Sequence, residues 1–143
     1  MVYKIFTDTN VHLDFLLQRG TEWKEAEAIF ELAGNKEIET FSLASSLLNL
    51  IYIMGTYKIP KKEIKNYGTA ILSYTTLINP DNNVFKKALS SAFDDIEDAV
   101  QYFTALQVDD IDYFITSNIK DFKKATSSLP VFTPKQFMEQ YNK

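Results

Sequence analysis

A chain of 143 residues, 45% hydrophobic and 24% charged, is sized and composed for one globular domain whose core needs no covalent staple. It has no cysteine and a single histidine, His12, which excludes disulfides, thiolate metal sites, cysteine nucleophiles and multi-histidine zinc sites. The formal net charge of −4 excludes a basic surface over the whole protein, so any nucleic-acid contact must use a local patch.

Taken in order, Tyr3 to Thr7 reads as a short apolar strand that stops at Asp8-Thr9-Asn10, and Val11 to Leu17 continues with helical spacing. A carboxylate at the carboxyl end of a strand, with a helix behind it, is a common site position in open α/β sheets. Asp8 or Thr9 would equally serve there as a helix cap. Thr21 to Ala33 has a helical apolar period, with Thr21 as its cap and Gly34-Asn35 as its stop. Glu37 to Phe41 reads as a strand. Ser42 to Tyr57 is strongly apolar and is expected to be a mostly buried helix. Pro60 opens a helix that runs to about Tyr74 and exposes Lys61, Lys62 and Lys65.

Leu77-Ile78 is a brief strand before the turn Asn79-Pro80-Asp81. Asn83 to Ala92 is a helix with Val84, Ala88 and Leu89 inward, and Asp94 to Asp98 leads into another helix through Leu106. Tyr113 to Thr116 and Val131-Phe132 are strands, and Pro134 to Tyr141 is a closing helix. Strands alternating with helices imply parallel pairing and right-handed crossovers. The expected fold is α/β: one three-layer α/β/α domain over residues 1–143 with a short, mostly parallel sheet. No apolar run approaches the roughly 18 residues needed to span a bilayer, and no basic-then-apolar leader opens the chain. Absence of cysteine fits the cytoplasm.

Polar groups recur at four strand ends or helix starts. Asp8 follows the first strand, and Asn49 lies one to two turns into the helix after the second. Asp95, Glu97 and Asp98 begin a later helix, and Asn118 and Asp121 follow the strand ending at Thr116. Each has a plainer use. Asp95 could cap its helix with Asp98 as reciprocal partner, Glu97 and Asp98 could complement a helix dipole, Asn118 could cap a short turn, and Asp121 could be a solvated acid. A parallel sheet would bring the strand-end groups to one edge, where crowded carboxylates repel. A hard divalent cation relieves that repulsion, and all-oxygen donors without histidine suit Mg²⁺ better than zinc.

At Phe6-Thr7-Asp8-Thr9-Asn10-Val11, Asp95-Ile96-Glu97-Asp98-Ala99-Val100-Gln101 and Phe114-Ile115-Thr116-Ser117-Asn118-Ile119-Lys120-Asp121-Phe122 the chain resembles the PIN (PilT N-terminal) domain family. It is most similar to the VapC-type ribonuclease toxins of bacterial and archaeal toxin–antitoxin pairs, and Phe132 to Phe137 matches the family's closing pattern. The resemblance implies a Mg²⁺- or Mn²⁺-dependent endoribonuclease with metal and catalytic acids Asp8 and Asp98. Asp121 is the last catalytic acid, or Asn118 replaces it, and Thr116 positions that group. Asn10, Asn49, Asp95 and Glu97 support the site. The chain departs from the pattern at Asn49, where the family usually has glutamate.

Phosphate contacts would fall to exposed lysines, with Lys61 and Lys62 in one cluster and Lys120 and Lys123 in another; the plainer use of both clusters is a solvated face. Single-stranded RNA suits the site better than duplex, because loops offer bases to aromatic side chains. Aromatics make up 14% of the chain, and the helices around Trp23 and Leu47 carry apolar surface beyond one core face. A homodimer would cover it, as the resemblance also implies, and a groove between such helices could receive a cognate antitoxin. The alternative class is a non-catalytic or weakly active PIN-like module that binds RNA or a protein.

Overall fold

Strands and helices alternate as expected in the computed structural model, which describes residues 2–125 and 128–143. Strands β1 (Lys4–Thr7), β2 (Glu39–Leu43), β3 (Thr75–Ile78), β4 (Tyr113–Ile115) and β5 (Val131–Phe132) form one sheet in the order β3-β2-β1-β4-β5. Every pairing is parallel. The helices are α1 (Thr9–Leu17), α2 (Trp23–Gly34), α3 (Ala44–Thr56), α4 (Lys61–Tyr74), α5 (Asn82–Leu89), α6 (Ile96–Ala105) and α7 (Pro134–Tyr141). A short 3-10 turn, Ile119–Phe122, follows β4.

The period of two along each strand divides the core. Phe6, Leu43 and Phe114 face α5 and α6, packing with Val84, Ala99, Tyr102 and Phe122. Ile5 and Ile115 face the other way, against Val11 of α1, Ile29 and Phe30 of α2 and Phe137 of α7. A third cluster, Leu13, Leu50, Met54 and Ile71, holds α3 and α4 to α1. The layers are therefore helix, sheet, helix.

Three sequence expectations are corrected. The α3 helix is not mostly buried: Ser46, Leu50 and Met54 form one buried stripe at a spacing of four, whereas Leu48 is 71% and Tyr52 74% exposed. The helix lies outside α1, not between two layers, so only one stripe meets the core. Leu89 is not inward but 67% exposed, because α5 ends there and its buried stripe stops at Ala88. Thr21 does not cap α2; Glu22 takes that position without a side-chain cap bond.

The strand order places a switch point between β1 and β4. From β1 the chain adds β2 and then β3 on one side, and it returns to β1's other edge with β4. Crevices outside the carboxyl ends of strands at such a point are the usual ligand sites of open α/β sheets. Thr7 pairs with Ile115 there, so the next residues, Asp8 and Thr116, leave the sheet side by side.

Candidate active site

Asp8 is buried at the end of β1 and caps α1. Its Oδ1 accepts from the Asn10 backbone N–H at 3.3 Å and from Gln101 Nε2 at 3.2 Å. Its Oδ2 accepts from Thr116 Oγ1 at 2.8 Å. Since each carboxylate oxygen can accept about two hydrogen bonds, Oδ2 keeps acceptor capacity. Burial pushes the Asp8 carboxyl up, and the bonds from Thr116, Gln101 and Asn10 pull against that rise. The Gln101 amide also accepts the Thr9 N–H through Oε1 at 3.2 Å, so it ties α6 to the start of α1.

A polar network beneath Asp8 joins β1, β2 and α1. Thr7 Oγ1 lies 2.6 Å from Ser42 Oγ, and His12 Nε2 lies 3.0 Å and 2.8 Å from those two oxygens. The Thr9 and Ser46 hydroxyls join α1 to α3. His12 stacks on Phe30 with centroids 4.7 Å apart, and burial lowers its pKa to about 4. A neutral, packed imidazole of this kind is a structural group.

The acids of α6 arrive from across the crevice. Asp95 is the N-cap and accepts from the Asp98 N–H at 3.1 Å. Asp98, half-buried, is pushed up to about 7 by burial and then by the charges of Asp8, Asp95, Asp121 and Glu97. Glu97 is raised by burial, then by Asp95 and Asp8. After β4, Asn118 Nδ2 donates to Asp121 Oδ2 at 2.6 Å.

These groups share one cavity of about 480 Å³. Asp8, Thr9, Asn10 and Leu13 line it from β1 and α1, and Asn49, Tyr52 and Ile53 from α3. Asp95, Glu97, Asp98 and Gln101 line it from α6, and Asp121 from the 3-10 turn. No three Asp, Glu or His side chains among the described residues stand close enough to hold an ion between them.

A sequence profile of the PIN domain matches residues 4–120, most of the chain. The chain belongs to the PIN domain family. Among solved structures it is similar to a chain of a toxin–antitoxin complex from Klebsiella pneumoniae, with a TM-score of 0.65 and 21% identity, covering 91% of this chain and 97% of that one. It is likewise similar to a chain of VapBC2 from Rickettsia felis bound to a DNA fragment from their promoter, with a TM-score of 0.66, 18% identity and coverage of 91% and 98%. No curated protein matches the chain significantly.

In this PIN domain the sequence-derived acids Asp8, Asp95, Glu97, Asp98 and Asp121 come together with Asn10 and Asn49. Asn118 stays outside the lining and donates to Asp121, which lines it. Thr116 has a wider role than expected: it donates to Asp8 and accepts the Asn118 N–H at 3.1 Å, so it spans two acid-bearing segments. Lys61, Lys62, Lys120 and Lys123 are exposed and do not line the cavity.

Gln101 and Tyr52 were not singled out from the sequence as site residues. Gln101 could have been: it is a polar residue three places after Asp98, on the apolar side of α6 beside Val100 and Tyr102. The chain's one arginine, Arg19, lies outside the lining and donates to Asp14 Oδ1 at 2.7 Å and to Oδ1 of the lining residue Asn10 at 3.4 Å.

Proposed function

We propose that this PIN domain is a cytoplasmic, Mg²⁺- or Mn²⁺-dependent endoribonuclease and the toxin of a type II toxin–antitoxin pair. The observation that supports it most is the convergence of Asp8, Asp98 and Asp121 on one cavity at the switch point of the sheet. The lining fits such an ion by donor type: its carboxylates and amides offer oxygen, and Asp98 is raised by burial and then by neighbouring negative charge, the second of which a cation would offset. That no three acids among the described residues gather closely enough to hold an ion between them suits one that keeps several waters and takes only one or two carboxylates.

Asp8 and Asp98 would hold the ion. When bound, it supplies a water of lowered pKa and positive charge beside the leaving oxygen of a phosphodiester. Gln101, Thr116 and the Asn10 N–H fix the plane of the Asp8 carboxylate, and Oδ2, which accepts only from Thr116, keeps a lone pair for the ion. Asp121, held by Asn118, would orient the attacking water. Lys61, Lys62, Lys120 and Lys123 would meet RNA phosphates away from the cleaved bond. Exposed apolar residues Leu48, Ile51, Tyr57 and Leu72 supply surface for a second copy of the chain and for an antitoxin.

Incubating the protein with a single-stranded RNA and Mn²⁺ tests this reading. Cleavage should occur and should stop with EDTA; cleavage that persists in EDTA would defeat it. Millimolar Mn²⁺ should also raise the melting temperature by a few degrees through linkage, as a thermal scan with and without the ion would show.

Asn49 and the spacing of the acids favour a second reading, a weakly active or non-catalytic module that binds RNA or a protein. Asn49→Glu separates the two. Asn49 is exposed, so a glutamate there buries no charge, and the metal-free stability should change by about 1 kcal/mol or less. Calorimetric titration should show Mn²⁺ binding several-fold tighter than in the parent, and gel assays should show faster cleavage. Unchanged affinity would put Asn49 beyond reach of the ion.

A further inference from the structure

The two walls of the cavity differ in chemistry. Asp95, Glu97 and Asp98 make one of them acidic. Leu13, Asn49, Tyr52 and Ile53 make the other largely apolar, with the Asn49 amide and the Tyr52 hydroxyl as its polar groups. Asn49 and Tyr52 are three residues apart on α3 and therefore share a helix face. Tyr52 is 74% exposed, and its ring pairs with no other aromatic among the described residues. The Asn49 amide is likewise free of protein hydrogen bonds among them. A flat ring and a free amide thus face solvent beside a cluster of acids.

A single-stranded polynucleotide has the matching two-sidedness. Its phosphates are charged, and its unpaired bases have broad faces and polar edges. We propose that the α3 wall is a subsite for an unpaired nucleobase, with Tyr52 stacking on its face and Asn49 hydrogen-bonding its edge. The proposal rests on the nuclease reading for placing the neighbouring phosphate at the acids. A base in a duplex has its faces and pairing edge occupied, so the subsite selects single strands and loops. Asparagine in the position where glutamate is expected then adds a base contact in exchange for ligand charge.

Fluorescence anisotropy with a short labelled single-stranded RNA in EDTA measures the subsite without cleavage. Asp98→Asn serves as the background, since it lowers repulsion of the strand. Adding Tyr52→Ala should weaken binding roughly ten-fold. Tyr52→Phe, which keeps a ring, should stay within about two-fold of the background. Melting temperatures should barely move, because the side chain is exposed. An abasic strand should bind both proteins alike.

The proposal is overturned if Tyr52→Ala leaves RNA affinity unchanged, if it weakens intact and abasic strands equally, or if the background protein binds no RNA. Unchanged RNA affinity with loss of dimer in sedimentation would assign Tyr52 to a protein interface instead. The nuclease reading fails separately: Tyr52-dependent binding by the wild-type chain with no cleavage on adding Mn²⁺ would leave the base subsite standing.

Discussion

Asp98→Asn should reduce RNA cleavage roughly 100-fold or more while producing a metal-free protein that melts higher than the parent. The two effects have one cause. Asp98 is half-buried and faces the charges of Asp8, Asp95, Asp121 and Glu97, which together with burial push its pKa from 3.8 to about 7. A raised carboxylate binds its proton more tightly in the folded chain than in the unfolded one. Its favourable contribution is therefore complete below 3.8 and is lost as pH rises through about 7. The amide introduced by the substitution carries no charge and has no such loss. The gap in melting temperature should thus be small below pH 3.8, grow as pH rises from there to about 7, and reach about 3 °C or more above it. Thermal scans of both proteins across that pH range check it; a gap independent of pH would mean that burial and the neighbouring acids do not raise the Asp98 carboxyl.

Asp8→Ala should have the opposite effect on stability and the same effect on activity. Asp8 caps α1 and takes donors from Asn10, Gln101 and Thr116. Loss of a cap costs about 1 kcal/mol, and buried donors left without acceptors cost more. Removing a buried charge offsets part of this. The net loss should be about 2 kcal/mol, or roughly 5 °C in melting temperature. The Mn²⁺-induced shift and cleavage should both disappear. Asp8→Asn keeps an acceptor and the shape, so its metal-free stability should fall within about 1 kcal/mol of the parent. A strongly destabilised Asp8→Asn protein that still answered to Mn²⁺ would make Asp8 a cap alone.

What could be read from the sequence follows from how local each signal is. The strand β1 and Asp8 were legible because an apolar run stops at an acid before a helical period. The acids of α6 were legible because Asp95 starts the helix and Asp98 follows one turn later. Composition misled at α3. Leu47, Leu48, Ile51 and Ile53 suggest burial, but the helix sits outside α1, and which stripe meets the core depends on tertiary placement. The hold of Gln101 on Asp8 spans 93 residues of chain, so no local pattern carries it. The contacts of Thr116 with Asp8 follow from parallel register, which the sequence implies only once the strand order is known.

Titration calorimetry of the metal-free chain with Mn²⁺, at a pH above the raised Asp98 value of about 7, tests the cation site most directly. Saturable binding to the wild-type chain should weaken at least ten-fold in both Asp8→Asn and Asp98→Asn. No binding, or equal binding by all three proteins, would contradict a cation site built on these two acids.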